Sequence, residues 1–85
     1  MKFLRKLFMT GIEIACDDAY LELQSLIDSE TNFFTLMDSR LTTIELFYDQ
    51  YFSKVSDKFI DARYSRLRHA AYRRGREIMP KTCKN

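Results

Sequence analysis

The sequence predicts an all-α fold, and three observations carry the prediction. Neither glycine nor proline occurs between Gly11 and Gly75, an interval that strands joined by tight turns rarely tolerate. Apolar residues recur at steps of three and four, the helical period, over most of the chain. Hydrophobic residues make up 46% of the 85, which sets the chain apart from disordered sequences. The length allows one small domain, residues 1–85, with 80–85 as a loose C-terminal tail. The expected architecture is an antiparallel bundle of three medium helices at about 2–28, 31–53 and 56–79, or of two long ones.

The first helix is read from Leu4, Phe8, Ile12, Ala15, Ala19, Leu23 and Leu26, with Cys16, Tyr20 and Ile27 widening the face. Gly11 weakens it locally without ending it. Residues 28–32, Asp-Ser-Glu-Thr-Asn, are turn formers, and Ser29 or Thr31 is placed to cap the next helix. The second stripe is Met37, Leu41, Ile44, Tyr48, Tyr51 and Val55. Thr42-Thr-Ile-Glu45 has the pattern of a capping box but interrupts an unbroken periodicity, so it is read as mid-helix. A third stripe, Ile60, Tyr64, Leu67, Ala71 and Ile78, points roughly 150° away from the second at the helical angle per residue. Either the chain breaks at residues 53–57, with Ser53 or Ser56 as cap, or one long helix presents two faces. The break is favoured. Pro80 stops the last helix, because it lacks a donor and disfavours helix in the residue before it.

Charge is distributed unevenly along the chain. Residues 1–6 carry Lys2, Arg5 and Lys6 and no acid. Residues 7–61 carry eleven acids against Arg40, Lys54 and Lys58, whereas residues 62–85 carry eight Lys/Arg against Glu77. The expected molecule is electrostatically polar, with an acidic body and basic ends.

The residue types that carry chemistry are sparse. His69 is the only histidine and lies off the apolar stripe of its helix, with no orienting carboxylate or nucleophile nearby in sequence. Asp17-Asp18 and the i, i+4 pair Asp57/Asp61 lack the cavity that acid–base or metal chemistry needs. Cys16, Cys83 and His69 show no zinc spacing, and there is no glycine-rich phosphate loop. The expectation is a non-enzyme without cofactor, metal or small-molecule substrate. Two cysteines make no disulfide framework, and the run at residues 7–12 is cut short by Glu13, Asp17 and Asp18, too early for an export signal or a membrane span. A cytoplasmic protein with reduced thiols is expected. The basic amphipathic segment at residues 2–9 resembles a membrane-surface helix, but its polar face turns acidic after Glu13, so a membrane partner is disfavoured.

Two sets of residues are candidates for binding. Phe33, Phe34, Phe47, Tyr48, Tyr51, Phe52 and Phe59 lie on more than one face of the middle segment, more aromatic surface than so short a chain readily buries. They predict a protein–protein surface, and a homodimer that completes the small core is expected, alone or beside another protein partner. Arg63, Arg66, Arg68, Arg73, Arg74 and Arg76 crowd the last helix. Guanidinium forks suit phosphates, so these arginines point to nucleic acid, to an acidic protein surface, or to a solvated helix end favoured by the helix dipole. The leading reading is a small helical interaction or regulatory protein; the alternative is a nucleic-acid-binding regulator. Salt separates them, since phosphate binding weakens steeply with ionic strength and apolar burial does not.

Overall fold

A computed structural model describes residues 9–80, and its described part is all-α, with no strand. Helix α1 spans Gly11–Ser29, α2 runs over residues 33–51, and α3 spans Asp57–Ile78. The three-helix reading therefore holds over the two-helix one. The connections of a few residues force neighbouring helices antiparallel. Cross-contacts agree. Arg63 reaches Asp17 and Arg74 reaches Glu30, so α3 runs parallel to α1. Arg68 reaches Glu45 while Gly75 lies against Phe33, Leu36 and Met37, so α2 runs the other way.

Each helix start has a side-chain reason. Thr10 is extended (ψ 166°) and accepts from Glu13 N–H, while Glu13 accepts from Thr10 N–H. This reciprocal capping box fixes the start of α1 at Gly11 and corrects the expectation of one helix from residue 2. Residues 2–8 of that expectation, including Leu4 and Phe8, lie outside the described residues, as do 81–85 of the C-terminal tail. Asn32, rather than Ser29 or Thr31, caps α2 by accepting from Thr35 N–H at 2.9 Å. Ser56 caps α3 through Phe59 N–H, and Asp57 in its first turn suits the helix dipole. The turn after α2 reverses at Ser53, whose φ of 69° is left-handed.

The core takes one stripe from each helix: Cys16, Tyr20, Leu23 and Ile27; Leu36, Ile44, Phe47 and Tyr51; Ile60, Leu67, Ala70 and Ala71. Two of these stripes differ from the periodicities read in sequence. In α2, Leu36–Arg40 is a π-helical turn in which Leu41 N–H bonds to Leu36 C=O. A wider turn shifts the register of everything before it, so Leu36 enters the core and Met37 is only partly buried. In α1 the stripe turns toward Cys16, Tyr20 and Ile27, leaving Ile12 and Leu26 exposed. Helix α3 packs more extensively against α1 and α2 than those two pack against each other.

Gly75, on the buried side of α3, faces side chains of α2. A Cβ there would stand 2.9 Å from Met37 Cε, but 3.6 and 3.7 Å from Leu36 Cδ2 and Phe33 Cε1. The tight contact is the free end of a flexible chain, which can move. Gly75→Ala is therefore expected to be neutral or stabilising by up to about 1 kcal/mol, the helix preference of alanine over glycine. Gly75→Val, which presses on Leu36 and Phe33 as well, is expected to lose about 1–3 kcal/mol by overpacking. Thermal melts followed by circular dichroism check both signs.

Candidate functional site

The six arginines separate into two groups. Arg63 Nε donates to Asp17 Oδ1 at 3.0 Å in a largely buried pair, and its guanidinium lies 3.7 Å from the centre of the Phe59 ring. Arg68 Nη1 donates to Glu45 at 2.9 Å and Nη2 to the Tyr72 hydroxyl at 3.0 Å, while the Tyr64 hydroxyl donates to the same Glu45 oxygen at 2.6 Å. That bond to a carboxylate, aided by burial, raises the Tyr64 pKa, and the Tyr64 hydroxyl in turn raises that of Arg68. Arg74 Nε donates to Glu30 C=O at 2.8 Å and Nη1 to Glu77 at 3.0 Å. These three hold α3 to the acids of α1, α2 and its own last turn. Arg66, Arg73 and Arg76, with Lys58 and His69, are exposed on the outer side of α3, and among the described residues its four Lys/Arg make no ion pair.

Glu30 ties the α1–α2 turn together. Its carboxylate accepts from Asn32 N–H at 3.1 Å and from Arg40 Nε at 3.0 Å. The Asn32 N–H, then the Arg40 guanidinium, hold its pKa below the ordinary value. A lowered folded pKa means stability present above the unfolded value of 4.5 and lost as pH falls through the folded value. Glu30→Gln is expected to flatten the stability profile below about pH 4.5; melts of wild type and variant between pH 3 and 7 are the measurement. The Cys16 thiol is free and buried, and burial raises its pKa, against the pull of Arg63. Among the described residues no three His, Cys, Asp or Glu side chains cluster as metal ligands.

The seven aromatics are spread over the bundle and do not form one surface. Phe47 and Tyr51 are core residues, only 4% and 7% exposed, with ring centres 5.6 Å apart. Tyr48 is half-buried, 4.7 Å from Tyr64 between ring centres, and Phe59 is half-buried against Arg63. Phe33 is half-buried beside Gly75. Phe34 and Phe52 are 66% and 49% exposed, but they stand at opposite ends of α2, roughly 27 Å apart at the helical rise.

Exposed apolar surface gathers instead where α1 meets α2. Ala19, Glu22, Leu23 and Leu26 of α1 and Thr43, Leu46, Phe47 and Gln50 of α2 line a concavity of about 400 Å³. Leu23 and Phe47 belong to the core and form its floor, while Leu26 and Leu46, 39% and 60% exposed, stand on its two sides. The antiparallel register sets residue 19 across from 50 and 26 across from 43, so the groove is two helical turns long. Sequence reading missed it. Its signal was the width of the α1 stripe, which holds more apolar residues than one core-facing stripe of a helix uses, and Leu46, which lies off the stripe of α2. Another depression, on α3, is lined by Tyr64, Ser65, Arg68, His69 and Tyr72.

No protein-family model, curated protein or solved structure matches the chain. Among the described residues no helix is long and apolar enough to cross a membrane.

Proposed function

We propose that the protein is a non-catalytic helical interaction module that binds another protein through the groove between α1 and α2. The observation that carries this reading is the pairing of Leu26 and Leu46 over an apolar floor. Burying such surface is the main driving force of association, and a two-turn groove suits an α-helix with anchors at i, i+3 or i+4, and i+7. The ionised side chains of the bundle interior serve to dock helices rather than to face a cavity where a substrate would react. Leu46→Gln, a change at an exposed position, is the test. In pull-downs from the native host with nuclease present, a partner held by the wild-type chain should be lost from Leu46→Gln and kept by a variant with Arg66, Arg73 and Arg76 replaced by Gln. The opposite pattern overturns the reading.

That opposite pattern is the second reading, favoured by the exposed cations Lys58, Arg66, Arg73 and Arg76 on one side of α3. Arg66, His69, Arg73 and Arg76 step by 3-4-3 along one face, a row that a phosphate backbone can follow. A labelled oligonucleotide that shows no affinity even at low salt removes it.

A further inference from the structure

We infer that the α1/α2 groove selects a basic amphipathic helix of its protein partner. The inference rests on the reading of the groove as a protein-binding site and adds the chemistry of the occupant.

The charge around the groove is the first ground. No Lys or Arg occurs from Gly11 to Ser39, and the helices that line it carry nine acids over residues 11–51 against Arg40 alone, which is itself paired to Glu30. Glu22 lines the groove, Asp18 is exposed one turn earlier on the same helix, and Asp49 is exposed beside Gln50. None of these three makes an ion pair among the described residues. Asp17 and Glu45, which do meet arginines, meet them on α3, the first buried and the second at the surface. The groove side therefore presents uncompensated negative charge around an apolar floor.

Shape is the second ground. A helix seated between Leu26 and Leu46 would bury its apolar anchors there and direct its flanking side chains outward over both rims. Lysine and arginine suit those positions, because their alkyl stems cover apolar surface while the charged head reaches a rim carboxylate in water. An acidic helix would meet repulsion on the α1 rim. A second copy is a poorer fit. Two-fold pairing through the groove would bring the acidic rims of two copies together, and the outer side of α3 offers Tyr72 as its one exposed large ring among Lys58, Arg66, Arg73 and Arg76, without a row of apolar anchors.

Isothermal titration of the full chain tests the inference with three capped model peptides of about 14 residues, long enough for a marginal helix. Each has leucines at i, i+3 and i+7 spacing; the remaining positions are lysine, glutamine or glutamate. The lysine peptide is expected to bind about tenfold more tightly than the glutamine peptide at low salt, and the glutamate peptide more weakly than either. Asp18→Asn with Glu22→Gln should remove most of that tenfold preference and its salt dependence, with the melting curve unchanged. Leu46→Gln should weaken the lysine and glutamine peptides alike. Equal, salt-independent binding of the lysine and glutamine peptides, still lost in Leu46→Gln, overturns charge selection and leaves the groove as a docking site. If Leu46→Gln changes no peptide's binding, the groove itself is refuted as the site. A wild-type dimer by light scattering that Leu46→Gln renders monomeric assigns the groove to a second copy and overturns the inference.

Discussion

Replacing Phe47 by alanine is expected to lower the stability of the protein by about 3–4 kcal/mol, the usual loss for a buried phenylalanine. For a domain of this size that corresponds to a melting temperature lower by roughly 15–20 °C. The reason is position. Phe47 is enclosed on the core side of α2, packs against Tyr51, and forms part of the groove floor with Leu23. Phe34→Ala and Phe52→Ala, one helix end each, are expected to stay within about 0.5 kcal/mol of wild type, as exposed substitutions do. Thermal melts of the three variants separate aromatics that build the fold from those that face solvent. A loss below about 1 kcal/mol for Phe47→Ala would refute its place in the core and return it to the surface set. Because Phe47 also floors the groove, partner binding should be compared in Leu46→Gln, where the fold is undisturbed.

Local chemistry was legible where it was self-contained. The scarcity of glycine and proline, the Ser56 cap, the break before α3 and the stop at Pro80 each depend on residues within a few positions of one another, and each appears in the structure. What escaped depended on distance or on register. The first capping box, Thr10 with Glu13, lay hidden inside an apolar periodicity that ran on through Gly11. The π turn of α2 moved Leu36 inward, a shift that a fixed helical period does not represent. The surplus apolar edge of α1 was visible as a wide stripe, but only the arrangement of α2 beside it turned Leu26 and Ala19 into one wall of a groove. The arginines illustrate the same limit. Spacing along α3 groups all six, whereas their partners sit on other helices, Asp17 being 46 residues from Arg63.

That long-range pair leads to the second large effect. Arg63→Ala is expected to destabilise the protein by about 2–4 kcal/mol, because it removes one member of a buried ion pair together with its packing and hydrogen bonds. Asp17 is buried at the α1–α3 contact, and Arg63 satisfies more than charge there. Its Nη1 donates to the Phe59 carbonyl at 3.2 Å, and its planar head stacks on the Phe59 ring. Arg63→Lys keeps the charge but not the fork or the stack, so it should recover only part of the loss. In a double-mutant cycle with Asp17→Asn, the combined loss should fall short of the sum by at least about 1 kcal/mol, the coupling expected of contacting residues. Arg66→Ala, three residues on and exposed, is expected to change stability by no more than about 0.5 kcal/mol. Equal losses for Arg63→Ala and Arg66→Ala would sink this division of the arginines and make the whole row a solvated face. Unequal losses leave Arg66, Arg73 and Arg76 as the guanidiniums available to a polyanion, so Arg66→Gln belongs in the oligonucleotide assay and Arg63→Ala does not.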